Sequence, residues 1–456
     1  MSNDFIAQAQ ERLDTLRAKH RIPGASLAIL VDGQIHELAS GVLNRDTGVE
    51  VTPDSLFQSG SVAKIYTATV IMRLVGEGKL DLDAKVVDVL PEFSTPDPEA
   101  AAQITIRQLL SHTGGVTNDF HGAADATGGD ALARYVEAAR EVPLDLPPGT
   151  AASYGSLGIV VLGRVIEVLT GTTWNQALKD LLFDPLGLKR SVTLPEEAMR
   201  YRYAWGHLGQ PGTDPEPIDM FSYIPRAFAP AAQVLVSAGD LVRLAKLHLD
   251  GGVAPDGTRI VAAEAVAAMQ RVESTPVDRW SVSADHWGLG WCLYDQPGFQ
   301  GFGHDGSAVS QHAMLRVFPE QGVALALMTN SGNGRSLYAE LFPELLDALG
   351  ITMPAPFGPA DPPITVDATR FYGLYQRAGV DITISERDGK PYAKYEFVDV
   401  SAEIPPLEGE MRPVSDTVFS VFMSGEGINE EMPVIFTTHN GTEYCWAGMR
   451  AAPKTA

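Results

Sequence analysis

Ser61-Val62-Ala63-Lys64 sets a hydroxyl and an amine three residues apart. At the start of a helix that spacing puts both side chains on one face, so the lysine amine can reach the serine. A serine hydroxyl is a weak nucleophile until a neighbour takes its proton, and a lysine shielded from water, or a tyrosine held beside cations, can have a pKa low enough to do so. The chemistry on offer is acyl transfer through a serine ester. The tetrad alone is short enough to arise by chance, so its surroundings matter. Phe57-Gln58-Ser59-Gly60 precedes it, with a glycine where a strand-to-helix turn would be tight. Lys64 also falls within Val62 to Leu74, where nearly every residue is apolar or small. That pattern predicts a buried helix, in which an unpartnered ammonium would be costly.

Further segments follow in order: LLSHTGG from Leu109 to Gly115, ASYGSLG from Ala152 to Gly158, FDPLGL from Phe183 to Leu188, AAQVLVSAGDL from Ala231 to Leu241, and GHDGS from Gly303 to Ser307. Together with the tetrad they resemble the serine β-lactamase and penicillin-binding-protein superfamily, in the class C-like branch that also holds family VIII esterases and D-aminopeptidases. The resemblance runs from about residue 20 to 345 and implies an acyl-serine mechanism. The superfamily signature of S-x-x-K, S-D-N and K-T-G is varied here. Its second position is Tyr154-Gly155-Ser156 and its third is His304-Asp305-Gly306.

By that resemblance Ser61 is the nucleophile, Lys64 and Tyr154 share the proton transfers, and His304 takes the place of the third motif's lysine, donating to a substrate carboxylate or to Tyr154. Which of Lys64 and Tyr154 is the base stays open, because coupled groups titrate together. The resemblance places the oxyanion between the backbone N–H groups of Ser61 and Ser307, with Gly306 beside them; such donors supply about 3 kcal/mol to a transition state. Ser156 departs from the Y-x-N form of this branch. A hydroxyl is shorter than a carboxamide and cannot offer two N–H donors, so amide recognition there is weakened or reassigned. Other residues read more plainly. His112 and Thr113 brace a loop, His312 continues the strand of His304, and Trp280, Trp287 and Trp291 are core residues of which one ring could line the cleft. Arg450, at the end of the last strand, is a candidate for binding a substrate carboxylate.

The elements that must position these groups are legible in outline. Two strands joined at Asp32-Gly33 follow a first helix whose Phe5, Ile6, Leu13 and Leu16 share a face. Helical patterns cover Ile159 to Leu169 and Leu241 to Leu249, and strand patterns cover Gly301 to Arg316 and Gly322 to Met328. Strands at both ends with helices between them predict an α+β fold, an antiparallel sheet with helical layers. Residues 1–353 make this catalytic domain. Residues 354–365 belong to a proline-rich linker, since the five prolines between Met353 and Pro363 suit neither helix nor central strand. Residues 366–456 form a small lipocalin-like β barrel, with hairpins at Asp388-Gly389 and Asn440-Gly441.

The 456 residues carry 34 basic and 57 acidic side chains, a net charge of -23. That balance opposes nucleic acid or an anionic membrane as partner. The two cysteines, Cys292 and Cys445, have no metal-ligand spacing, and we expect neither metal nor cofactor. The N-terminus lacks the apolar core of a signal peptide, so a cytoplasmic location is expected. Three functions fit these residues. The first is a penicillin-binding-protein-type thioesterase of nonribosomal peptide synthesis, which takes a peptide from a carrier-protein thioester and releases it as a head-to-tail macrocycle. Resemblance to that group lies in the length, the HDG third motif and the appended lipocalin-like domain. The second is a family VIII-type esterase, or a D-amino-acid amidase or peptidase, with water as acceptor. The third, a non-catalytic binding protein of the same fold, is opposed by the intact Ser61, Lys64, Tyr154 and His304.

Overall fold

The strands on either side of Asp32-Gly33 are β1 (Gly24–Val31) and β2 (Gln34–Asn44), and both turn residues have positive φ, as a tight two-residue hairpin demands. The structure is a computed structural model that describes residues 3–118, 120, 122–210, 212–220, 224–308, 310–398, 405–425 and 428–456. The first sheet continues with β3 (Val49–Glu50), β4 (His286–Trp287), β5 (Cys292–Gln296), β6 (Phe299–Ala308), β7 (Gln311–Phe318) and β8 (Val323–Thr329). Their spatial order is β3-β2-β1-β8-β7-β6-β5-β4, all pairs antiparallel, so the first and last strands of the domain meet at its centre with Leu27 opposite Leu327. β1 is buried along its whole length. Its side chains alternate between two cores: Ala28 and Leu30 join one, Leu27, Ile29 and Val31 the other. A pleated strand covered on both faces favours apolar or small residues throughout, which is why ASLAILV shows no polar alternation and its one hydroxyl, Ser26, donates to the Leu38 carbonyl.

Helices α1 (Asn3–Lys19) and α5 (Gly334–Asp347) cover one face, where Leu13 and Leu16 share a core with Leu337, Leu341 and Phe342. The other face carries α2 (Ala63–Gly76), α3 (Ser156–Thr170) and α4 (Ala238–Leu249). α2 is buried from Ala63 to Met72, as its composition requires, and one 3-10 turn at Gly60–Val62 precedes it and holds Ser61.

The proline-rich run from Met353 to Pro363 forms neither helix nor strand. Beyond it come β9 (Gly373–Arg377), β10 (Val380–Arg387), β11 (Lys390–Phe397), β12 (Leu407–Pro413), β13 (Val418–Gly425), β14 (Ile428–His439), β15 (Thr442–Ala447) and β16 (Arg450–Pro453), paired in chain order. A bridge between Tyr375 and Lys454 brings the edges together. Gly373 allows that approach, since a Cβ there would lie 2.3 Å from the Ala456 carbonyl oxygen. The barrel docks on the catalytic domain through its last hairpin. Trp446 is fully buried in a cluster with Leu146, Ile435, Tyr444 and Ala451, against which Trp280 packs.

Two expectations need correction. His312 is not on the strand of His304: the chain turns back after Ala308, Ser310 takes a positive φ, and His312 lies on β7 opposite Ser307. No Asn-Gly or Asp-Gly pair marks that turn. Arg450 begins the last strand instead of ending it, because the Gly448-Met449 turn places it at the edge nearest the catalytic domain.

Candidate active site

Ser61 is held where the turn before α2 meets β6. A Cβ on Gly60 would lie 2.6 Å from Ser307 backbone atoms, and one on Gly306 would lie 1.9 Å from the Ser59 carbonyl oxygen and 3.0 Å from Ser61 N. Both glycines are required by this contact, and Gly60 also has φ +51°. The contact brings the backbone of Ser61 beside that of Ser307. Lys64 Nζ, one helical turn on, is 3.3 Å from Ser61 Oγ and donates to the Ala231 carbonyl at 3.0 Å. Burial pushes the Lys64 ammonium well below its ordinary pKa, and the charge of Arg450 adds to the effect.

Tyr154 hydrogen-bonds to the Ser61 side chain. Burial pushes its phenol well above its ordinary value, against the opposing pull of that hydrogen bond and of Arg450. Burial thus acts in opposite senses on the two candidate bases, favouring the neutral form of the lysine and the protonated form of the tyrosine. The Tyr154 ring has Lys64 Nζ 4.8 Å from its centroid and the Arg450 guanidinium carbon at 5.2 Å. His112 and Trp287 pack on it with ring centroids at 4.7 and 5.7 Å. His112 takes a positive φ and its Nδ1 accepts from Gly155 N–H, so it grips the Tyr154 segment directly, beyond bracing its own loop.

His304 is buried, and its Nδ1 is 2.6 Å from the Asp305 carbonyl oxygen. A carbonyl can only accept, so Nδ1 carries the proton. Burial, with Lys64 nearby, lowers the imidazole to about 4. The ring is therefore neutral, and its Nε2, buried with no partner among the described residues, is an acceptor. In this tautomer His304 does not donate to a substrate carboxylate or to Tyr154 as expected: Nε2 can take a hydrogen bond from an N–H or from the Tyr154 phenol. Asp305 points away into a paired site with Arg316, whose Nη1 is 2.5 Å from Oδ1. Arg316 is 1% exposed and lies between the rings of Tyr294 and Tyr338. Ser156, expected to help bind substrate, is not among the residues lining the cleft at Ser61; its hydroxyl donates to Asn118 Oδ1 at 2.8 Å.

The cleft at Ser61 has a volume of about 550 Å³ and is lined from both domains: Tyr154, Trp280, Trp287, His304 and Ser307 on one side, Met432, Gly448 and Arg450 on the other. Backbone bonds fix the junction. Tyr154 N–H donates to the Met449 carbonyl at 3.0 Å, Ala451 N–H to Ser153 Oγ at 3.1 Å, and Met449 N–H to Asp278 Oδ2 at 2.9 Å.

The family model described as Beta-lactamase matches residues 9–349. The chain belongs to this beta-lactamase family. Penicillin-binding protein 4 of Amycolatopsis lactamdurans is 52% identical over 82% of this chain and 98% of its own length. Esterase EstB of Burkholderia gladioli is 32% identical over 47% of this chain and 57% of its own. Among solved structures SurE superposes with a TM-score of 0.79 at 27% identity, covering 99% of both chains, and its form with D-Leu gives 0.77 at the same identity, covering all of both. The β-lactamase-like fold of antiparallel sheet and helices, expected from the motifs, is thus the fold observed.

Several residues of the site were not foreseen. Asp278 accepts from the backbone N–H of Trp280, Ser281 and Met449 and from the Ser281 hydroxyl. The Asp-x-x-Ser spacing of DRWS was a local signal for part of this. Nothing local signals Met449, nor the pairing of Arg316 with Asp305. Trp280 and Trp287 line the cleft, whereas Trp291 packs on Phe302 and His248 in the core. Among the described residues no cluster of His, Cys, Asp or Glu could hold a metal ion, Cys292 and Cys445 are free and buried, and no single helix is long and apolar enough to cross a membrane.

Proposed function

We propose that the protein takes a peptidyl group from a carrier-protein thioester onto Ser61 and passes it to the peptide's own N-terminal amine, releasing a macrocycle. The observation that carries this reading is the composite cleft, in which the nucleophile faces the barrel's Met432, Gly448 and Arg450 across a chamber walled by Trp280, Trp287, Tyr338 and Phe357. Walls contributed by both domains hold a tethered amine near the Ser61 ester at a high effective concentration. Whole-length similarity to SurE supports the two-domain reading, and D-Leu in one SurE structure supports a D-residue at the acyl terminus.

Ser61 Oγ attacks the thioester carbonyl while its proton passes to the neutral Lys64 amine. Backbone N–H groups of Ser61 and Ser307 hold the developing oxyanion. Tyr154, protonated and bonded to Ser61, gives its proton to the leaving thiolate and is recharged from Lys64. In the second half the amine attacks the serine ester, its surplus proton enters the Tyr154–Lys64 pair, and the same proton returns to Ser61 Oγ as the ester breaks. His304 Nε2 accepts a hydrogen bond from Tyr154 or from the incoming amine. Arg450 holds Tyr154 in place and favours the neutral lysine. The strongly acidic chain opposes nucleic acid or an anionic membrane as partner.

A peptidyl thioester with a free N-terminal amine should yield mainly head-to-tail macrocycle by mass analysis, and its N-acetylated twin slow hydrolysis or a trapped Ser61 adduct. Similarity to EstB favours a second reading, ester hydrolysis with water as acceptor. Rapid hydrolysis of both peptides together with brisk turnover of short-chain p-nitrophenyl esters would replace the first reading by the second. The similarity to Penicillin-binding protein 4 supports slow acylation of Ser61 by penicillin; a radiolabelled or fluorescent penicillin adduct, absent in Ser61→Ala, tests it.

A further inference from the structure

The barrel interior is not fully filled. A cavity of about 150 Å³ lies among Ile382, Ala393, Leu407, Met423, Val434 and Ala447. It shares three wall residues, Met432, Gly448 and Arg450, with the cleft at Ser61. Arg450 separates the two spaces. One face of its guanidinium lies over Tyr154, Nη1 donates to the Gly448 carbonyl at 2.9 Å, and Nε is buried with no partner among the described residues. A buried N–H without an acceptor costs about 1 to 3 kcal/mol, so it marks a place where a ligand oxygen would be welcome.

We propose that this barrel cavity is a specificity pocket that takes one apolar side chain, of about the size of a phenyl or leucyl group, from the acyl chain carried on Ser61. An apolar cavity of this volume stays dry and binds benzene-sized guests. The lining contains two methionines when Met432 is counted, and their unbranched thioethers adapt to guests of different shape. The route from nucleophile to pocket is short in residues: Ser61 bonds to Tyr154, Tyr154 stacks under Arg450, and Arg450 lines the cavity. A substrate backbone carbonyl passing the junction would accept from Arg450 Nε while the side chain enters the barrel. The barrel is then part of substrate selection as well as a wall of the cleft.

This pocket rests on Ser61 carrying the acyl group, and the test separates the two claims. The intact chain is assayed with p-nitrophenyl esters of acetate and of ω-phenylalkanoates of increasing length. At the length that lets the ring reach the barrel, kcat/KM relative to acetate should rise at least tenfold, the usual worth of a filled apolar subsite. Ala393→Phe and Ala447→Leu, which fill the cavity from different strands, should each collapse that ratio, with far-UV circular dichroism and fluorophosphonate labelling of Ser61 showing that both variants fold. In parallel, fluorobenzene binding to Ser61→Ala is followed by fluorine NMR. Saturable broadening that disappears in the Ser61→Ala, Ala393→Phe double variant is expected. A flat length series in an active enzyme, or a rise that survives both filling variants, overturns the pocket's role. No ester turnover and no Ser61 adduct in the unaltered chain would sink the acyl-serine reading instead, and fluorobenzene that ignores the filling variants would overturn the pocket independently.

Discussion

Gly306→Ala is the sharpest perturbation of the oxyanion geometry, because it adds one methyl group and changes no reacting atom. The new Cβ would stand 1.9 Å from the Ser59 carbonyl oxygen, whereas real contacts of this kind stay beyond 3.0 Å. Relief therefore requires β6 and the Gly60–Val62 turn to part by about 1 Å, with no flexible side-chain tip available to yield. That displacement carries the Ser307 N–H away from the Ser61 N–H. Removal of one oxyanion donor costs roughly 100- to 1,000-fold in kcat, and a 1 Å misplacement of reacting groups costs about 100-fold. We therefore expect kcat/KM for p-nitrophenyl acetate to fall at least ~100-fold. Fluorophosphonate labelling of Ser61 should slow in parallel, because its phosphonyl oxygen uses the same donors. A thermal midpoint measured alongside separates this loss from unfolding. A folded Gly306→Ala variant within threefold of the parent on the acetate ester would refute the placement of the oxyanion between Ser61 and Ser307.

Four other outcomes are expected. Lys64→Ala and Tyr154→Phe should each lower kcat by ~100-fold or more while the chain stays folded, since each removes a proton-transfer partner; near-normal turnover in either frees that residue from the mechanism. Arg450→Gln should move the acidic limb of the kcat/KM profile to higher pH, because loss of a cation that lowers Lys64 makes its neutral form harder to reach; an unmoved limb would remove Arg450 from the tuning of Lys64. Burial lowers His248 to about 3 and His304 and His312 to about 4, while the unfolded chain takes up these protons below about 6.5. The stability these histidines contribute should thus be fully present above pH 6.5 and decline from there toward pH 4, a trend that urea midpoints at pH 7, 6 and 5, compared between the parent chain and His248→Gln, would reveal or deny. Asp278→Ala, stripping an acceptor from four donors, should cost at least ~2 kcal/mol and speed proteolytic nicking between Met353 and Pro363; unchanged nicking would argue that Asp278 does not hold the barrel.

Much of the site was legible because its information is local. The tetrad puts Ser61 and Lys64 one helical turn apart wherever that helix packs, and the unbroken apolar run around Lys64 already implies that its ammonium is buried. Asp32-Gly33, Asp388-Gly389 and Asn440-Gly441 announced their hairpins because two successive residues with positive φ restrict the choice of amino acid. The hairpin at Ser310 escaped notice for the converse reason: a serine in that conformation carries no sequence mark, and so His312 was assigned to the wrong strand.

What the sequence determined by itself was the kind of chemistry, the pairing of Ser61 with Lys64 one turn apart, the order of the superfamily motifs and the two-part plan of sheet domain and barrel. The tertiary structure decided the surroundings of the titratable groups and the contents of the cleft. His304 Nε2 is an acceptor because the Asp305 carbonyl engages Nδ1, and the burial of α2 with the nearby charge of Arg450 favours the neutral form of Lys64. Arg450 is almost 400 residues from Ser61, and only the docking of the last hairpin beside Tyr154 brings its charge to the site. Periodicity and motif spacing report a residue's neighbours along the chain; pKa, tautomer and cleft shape depend on neighbours across it.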